Sequence, residues 1–450
     1  MKENKGVITL LFVGVLMGAL DISIVGPALP SIEDALKIDG HKIGWIFSIY
    51  VLFNLTGISL FARLSDVYGR RKIYILALFI FGLGSLWVSL SNSFDTLLIG
   101  RAIQGFGASG IFPVASAIVG DLYPPEKRGQ MLGLLGAVFG IAFLVGPFIA
   151  GVLLHFLPWN FLFIINVPVA FILIYYSART LPSISYKNVI HIDWIGIVSL
   201  GIALAAFTYG LNNFKASDWV IDPANIKMML PFIISIISLI ILFSVERHAQ
   251  NPIIEFSFFK SREIIIAGII AVVTGLVEAC FVFIPKFVVE SFSVTPSRAS
   301  FMLLPFVLAT AIGSPVFGRL TDKYGVKKII AIGLLFAAFG LYLLSTSGNQ
   351  LFIYYLSGIL TGLGLSVLAG SSLRYIMLNN TRLQDRATSQ GMLSILIGVG
   401  HLSGTAVIGI ITVSMLTKSG YEIMFAGVAF LLLAMFILSF GLKNKVYYKH

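Results

Sequence analysis

The chain has 450 residues, of which 58% are hydrophobic and only 11% charged, and its mean hydropathy is +0.96. A water-soluble globule has no interior large enough for that much apolar surface, so an all-α membrane protein is expected. The formal charge of +11 would suggest nucleic acid in a soluble protein, but basic loops beside anionic lipid account for it, and no nucleic-acid partner is expected.

Taking about 20 apolar residues per crossing, spans are predicted at roughly 7 to 29, 43 to 62, 73 to 92, 96 to 120, 129 to 154 and 160 to 178. The first run is long enough to span and carries Asp21 in its core, so it is read as an uncleaved first helix and not as a signal peptide. A polar stretch from Arg179 to Asp193 follows, then spans near roughly 194 to 213 and 228 to 245. After a second polar stretch ending at Glu263, six more are predicted near roughly 264 to 288, 299 to 317, 328 to 347, 350 to 378, 387 to 415 and 422 to 442. The expected fold has fourteen transmembrane helices: two pseudo-symmetric six-helix bundles, 1–178 and 263–450, with an inserted central helix pair in a linker, 179–262.

With the N-terminus inside, most of the 31 Lys and Arg fall in loops assigned to the cytoplasm, and Arg101 is taken as the one that lies within a span. Short basic loops resist translocation, which sets the orientation and puts both termini in the cytoplasm of a multi-pass inner-membrane protein. Cys280 stands alone, so neither an intramolecular disulfide nor a cysteine metal cluster is available.

An internal repeat supports the two bundles. Phe61, Arg63, Leu64, Asp66, Tyr68, Gly69, Lys72 and Ile73 recur about 256 residues later as Phe317, Arg319, Leu320, Asp322, Tyr324, Gly325, Lys328 and Ile329. Each copy is a short, charged, glycine-bearing connection between apolar runs, as a tight cytoplasmic loop requires. Gly105 and Gly107 answer to Gly362 and Gly364, and Arg128 to Arg386, but Arg101 answers to Gly358. The copies share a scaffold and differ in charge chemistry.

These residues resemble the major facilitator superfamily, and within it the fourteen-helix drug/proton antiporter branch. The loop from Ala62 to Lys72 resembles the superfamily's motif A, Arg101 to Gly105 its motif B, Gly146-Pro147 through Gly151 the antiporter motif C, and Leu20 to Val25 with Ala28 to Pro30 the branch's first-helix signature. Ala62 and Val67 depart from the usual Gly and Arg of motif A.

The resemblance implies alternating access, with Arg101 acting in proton coupling and Asp21 in recognition or protonation. A charged side chain at mid-membrane costs about 2.5 to 3.5 kcal/mol on the lenient insertion scale, which asks for a functional reason. The alternative for Asp21 and Arg101 is a static pair that ties the first and fourth helices together. Glu278, about 15 residues into its span, is the second candidate carboxylate, where a proton and a cationic substrate would compete; the alternative is a lipid-edge position. In motif A, Asp66 can accept backbone or cationic partners, Gly69 permits the reversal, and Arg70, Arg71 and Lys72 can pair with Asp121. Asp322 and Gly325 repeat the pattern. Such a clasp would hold one conformation closed on the inside. Glycines 136, 140, 146 and 151 let helices approach closely, and Pro147 is expected to bend theirs. Trp45, Tyr50 and Phe106 are candidate cavity aromatics.

There is no Gly-Lys-Ser/Thr phosphate loop and no His/Cys metal spacing, so the sequence reads as neither an ATP-driven pump nor an enzyme, and no cofactor is expected. Energy would come from a proton gradient, about 2.3 kcal/mol per 100 mV for each charge. The leading expectation is a proton-coupled exporter of amphipathic, cationic organic compounds, a monomer whose partners are the small-molecule substrate, protons and membrane lipids. Alternatives are export of one endogenous metabolite, lipid or tetracycline-like compound, or a transport-inactive sensor or assembly protein on the same scaffold.

Overall fold

A computed structural model describes residues 3–37, 45–182, 194–213, 226–246, 261–294, 296–348, 350–415 and 418–443. Among them the regular structure is helical. The first group comprises α1 (Glu3–Leu36), α2 (Trp45–Tyr68), α3 (Arg70–Ser89), α4 (Phe94–Ala108), α5 (Ile111–Leu122), α6 (Pro125–Phe156), α7 (Phe161–Ile164) and α8 (Asn166–Thr180). Next come α9 (Trp194–Asn213) and α10 (Ile226–Glu246). The second group is α11 (Arg262–Phe292), α12 (Pro296–Met302), α13 (Leu304–Tyr324), α14 (Val326–Thr346), α15 (Leu351–Leu365), a π-helix (Ser366–Ser372), α16 (Leu373–Asn379), α17 (Arg386–Met415) and α18 (Lys418–Ser439).

Eleven helical stretches among the described residues are long and apolar enough to cross a membrane, and two shorter apolar helices lie at Ile195–Gly210 and Met229–Val245. Bilayer solvation explains why they are helices, since only intra-segment hydrogen bonding satisfies a backbone surrounded by hydrocarbon. It also explains large exposed side chains such as Phe148, Phe171 and Ile437, which would be a liability in water. Most of the two polar stretches that flank α9 and α10, including 183–193 and 247–260, lies outside the described residues.

Each group has its own apolar core. One gathers Leu11, Tyr74, Phe81, Val114 and Leu135; the other gathers Ile270, Phe287, Leu341, Ile376 and Phe425. The groups meet along two seams, α6 against α13 and α2 against α17. On the first seam a Cβ on Gly133 would collide with the Ser314 carbonyl and one on Gly140 would lie 2.7 Å from the Ala311 Cβ, so backbones touch where side chains would hold them apart. The glycine row thus begins closer to the start of α6 than the sequence suggested. Gly146 belongs to a different contact, facing Ser23 of α1, and a Cβ on Gly151 would meet nothing within 4 Å. α6 is assigned as continuous helix through Pro147 to Phe156; the side chain of Pro147 lies outside the described residues.

The pair α9 and α10 lies on the second seam. Leu200, Leu204 and Leu242 pack with Leu55 and Ile58 of α2, and with Ile395, Val399 and Leu402 of α17. The inserted pair therefore touches both groups where they meet.

Candidate functional site

Two polar constellations stand out against this apolar background. The first lies inside the first group. Asp21 and Arg101 are wholly buried, and Arg101 Nη1 donates to Asp21 Oδ2 at 2.7 Å. Gln104 Nε2 donates to Asp21 Oδ1 at 2.7 Å and Asn166 Nδ2 to the same oxygen at 3.1 Å. Gln104, one turn after Arg101, also accepts from Arg101 Nη1 at 2.6 Å and donates to Ser85 Oγ at 2.7 Å. Arg101 Nε donates to the Ile46 carbonyl at 3.2 Å, and the guanidinium carbon lies 4.3 Å from the Tyr50 ring centroid. Residues of five helices, α1, α2, α3, α4 and α8, join this cluster.

That geometry has a chemical consequence. An ionised carboxylate only accepts, and here three N–H donors occupy its two oxygens. Oδ1 accepts two of these bonds and Oδ2 one, so a proton can enter the remaining site on Oδ2, where it would cancel the charge that holds Arg101 and weaken that pair. Arg101 Nη2 has no hydrogen-bond partner among the described residues, which leaves the guanidinium a donor still to place. Of the aromatic candidates, Tyr50 joins this site; Trp45 instead lies 6.1 Å from Tyr209 of α9, and Phe106 5.2 Å from Phe61.

The second constellation ties the two groups together at the turns of the repeat. Gly69 and Gly325, with φ of 99° and 88°, each make a one-residue reversal between helices, in a backbone region essentially closed to side chains. Each reversal leaves the preceding aspartate at a helix end. Asp66 accepts from the backbone N–H groups of Ala387 at 3.0 Å and Thr388 at 2.7 Å, and from the Thr388 hydroxyl. Asp322 accepts from the backbone N–H groups of Gly129 at 2.8 Å and Gln130 at 2.9 Å. The receiving residues follow Arg386 and Arg128, themselves counterparts in the repeat. At the start of α17 the carboxylate also meets the positive end of the helix dipole.

Arginines reinforce the clasp. Arg70, only 1% exposed, pairs with Asp66 and donates through Nε to Asp121 Oδ2 at 3.0 Å. Arg386 pairs with Asp121 Oδ1 at 2.9 Å, Arg63 lies 3.5 Å from Asp385, and Arg128 donates to Asn379 Oδ1 at 2.6 Å. Arg71 corrects the sequence reading: it donates to the Ala178 carbonyl at 3.4 Å, within its own helix group, so Arg70 is the member of that basic run that reaches Asp121.

Glu278 is brought to neither constellation. It lies on α11, half-buried, where the field of Arg374 of α16 reaches it. Arg374 corrects the reading of Arg101 as the one cation within a span, since it sits in the continuous stretch Leu351–Asn379 and is 3% exposed. The sequence signal was present in its place among apolar residues, but proximity to the loop charges Arg382 and Arg386 obscured it. Gln104 and Asn166 were missed as partners of Asp21; the first was signalled by its three-residue spacing from Arg101.

The sequence pattern of the Major Facilitator Superfamily matches residues 11–244 and 267–447. The chain is 32% identical over 439 residues to "Uncharacterized MFS-type transporter YfiU" of Bacillus subtilis (strain 168), covering 94% of this chain and 84% of that one. It is 31% identical over 426 residues to "Multidrug resistance protein 3" of the same organism, covering 92% and 81%. The crystal structure of the human organic anion transporter MFSD10 superposes with a TM-score of 0.75 at 18% identity, over 97% of this chain and 99% of that one; at that identity the likeness speaks for the fold alone.

Proposed function

The chain belongs to the major facilitator superfamily, and from that membership we propose that it is a proton-coupled exporter of amphipathic, cationic organic compounds that works by alternating access. The observation that carries this reading is the sealed Asp21–Arg101–Gln104–Asn166 cluster. A buried carboxylate whose protonation weakens its pairing with an arginine is a ready converter of proton binding into helix movement. The multidrug name of a relative covered to 81% of its length favours the cargo class.

In this reading the two groups are six-helix bundles, 1–178 and 263–450, within a fourteen-helix chain whose linker, 179–262, carries the extra pair. The turns at Gly69 and Gly325 face the cytoplasm of the cell membrane, both termini lie on that side, and the protein acts as a monomer. The Asp66 and Asp322 clasps then close the cytoplasmic face. Cargo loading requires them to break, and Asp21, Arg101 and Glu278 convert the proton gradient into that break. No cofactor enters the scheme.

The test is proton release in everted membrane vesicles, followed by a quenched acridine dye on addition of lipophilic cations, with an uncoupler as control. Wild-type protein should dissipate the gradient on addition of substrate, and Asp21→Asn should insert normally and fail to do so. Antiport by Asp21→Asn at the wild-type rate removes the aspartate from the mechanism. Absence of any cation-dependent proton movement by the wild type rejects the export reading in favour of a single-metabolite carrier or a transport-inactive protein.

A further inference from the structure

Arg374 is a buried guanidinium with few bonds. Its Nη1 lies 3.3 Å from Gln390 Oε1 and 3.4 Å from Ser394 Oγ, its Nη2 3.3 Å from the same hydroxyl. Nε has no partner among the described residues. A guanidinium carries five N–H donors, so three long contacts leave it under-satisfied. What covers it comes from the opposite helix group: the Phe112 ring of α5, whose centroid is 3.9 Å from the guanidinium carbon. α11, which carries Glu278, packs against α16 and the π-helix before it, and Glu278 is the negative charge whose field reaches Arg374.

The placement is as telling as the bonds. Arg374 follows the π-helix Ser366–Ser372 by two residues, and π-turns re-aim the side chains beyond them and recur at functional sites. The repeat counterpart, Ala117 of α5, is apolar, so the charge is a feature of the second group alone. Counting about 1.5 Å per residue from Asn379, Arg374 sits one to two turns above the clasp, and Glu278 on α11 acts on it through space.

We propose that Arg374 is a positioning residue that reports the charge on Glu278 to the α5–α16 contact between the two helix groups. This rests on the reading of Glu278 as the second coupling carboxylate. With Glu278 ionised, its field and the Phe112 ring together compensate the guanidinium, and the cytoplasmic face stays closed. When a proton or a bound cation neutralises Glu278, only the ring and the long contacts to Gln390 and Ser394 remain, and Arg374 gains by reaching water as α5 and α16 part. The signal passes through a contact that rocking of the groups must break.

The experiment uses the full chain in nanodiscs, in a Cys280→Ala background, with spin labels at Lys72→Cys and Lys328→Cys. These exposed positions are counterparts in the repeat, one in each group. At alkaline pH, E278Q should lower the ratio of short to long label distances by about fivefold, the scale of a well-screened charge–charge interaction. Introduced on top of R374Q, the same change should shift it by less than about twofold, while R374K should preserve the full response. Equal shifts with and without R374Q overturn the proposal and leave the export reading standing. An E278Q protein indistinguishable from wild type in both label distances and antiport removes Glu278 from the mechanism, and the proposal with it. Phe112→Leu keeps both charges and gives a second check: it should lower the ratio by itself, and an unchanged ratio overturns the role given to the ring.

Discussion

Asp66 Oδ2 accepts the backbone N–H of Thr388 at 2.7 Å, so a carboxylate at the end of α2 holds the first turn of a helix in the other group. Asp322 does the same for Gly129 and Gln130 near the start of α6. Ala387 and Thr388 fall in the first turn of α17, where backbone N–H groups lack intrahelical partners, so Asp66 binds there without displacing a bond already made; Gly129 and Gln130 lie just past the first turn of α6, so Asp322 shares their N–H groups with the helix. The arginines around Asp66 then neutralise charge that the dipole alone would leave exposed.

Replacing Asp66 by Ala removes hydrogen bonds to Ala387, Thr388 and Arg70 together. Hydrogen bonds to charged groups contribute about 1.5 to 3 kcal/mol each, and Arg70 keeps Asp121 as a partner. The expected outcome is a shift toward separated faces, read as longer distances between labels at positions 72 and 328, with thermal stability of each group little changed. Asp322→Ala should act in the same direction, and the double replacement should exceed either. Unchanged distances in both single variants would show that the clasp does not set the equilibrium.

The turns make a separate prediction. Gly69 at φ 99°, ψ 144° and Gly325 at φ 88°, ψ 149° occupy backbone space that an alanine enters only under strain, at a cost of about 1 to 3 kcal/mol. Gly69→Ala and Gly325→Ala should each lower the thermal midpoint in detergent. Gly348, at φ 57° with open space around it, sits in the left-handed region that asparagine tolerates, so Gly348→Asn should leave the midpoint near wild type.

Much of this was legible in the sequence because it is local. A one-residue turn needs its glycine beside its aspartate, so the Asp66–Gly69 and Asp322–Gly325 pairs announce themselves twice. Asp21 and Arg101 stood out because charge is conspicuous in an apolar run. Their neutral partners did not: Gln104 and Asn166 look like ordinary polar residues until the fold brings α4 and α8 to α1. The other ends of the clasp were illegible for a different reason. Gly129, Gln130, Ala387 and Thr388 contribute backbone N–H groups, which every non-proline residue carries, so no side-chain pattern marks them.

Whether Asp21 and Arg101 are a static tie or a moving pair can be decided by removing both. Arg101→Met leaves a buried carboxylate without its cation and should destabilise the protein by about 3 to 5 kcal/mol. Combining it with Asp21→Asn should restore much of that loss, because Gln104 and Asn166 remain to bond a neutral amide. A static tie predicts that the restored double variant transports. A moving pair predicts a folded protein with no proton-driven transport, and thermal unfolding alongside vesicle assays distinguishes the two.

The α6–α13 seam gives the sharpest steric test. The Gly133 backbone lies against the Ser314 carbonyl with no room for a Cβ, and overpacking of such a contact costs about 1 to 3 kcal/mol when the surroundings cannot yield. The surroundings here have a route of relief, since the two helix groups have cores that are separate apart from Leu378 of α16, which joins the first, and they can part along the seam instead of unfolding. Gly133→Leu should therefore express and insert, show long label distances between positions 72 and 328, and lose transport because it cannot close. Gly18→Leu, placed where a Cβ would meet nothing within 4 Å, should also express and insert, but with wild-type label distances and transport. If Gly133→Leu transports at the wild-type rate, the seam does not need the backbone contact seen here, and closure must be carried by the α2–α17 side alone.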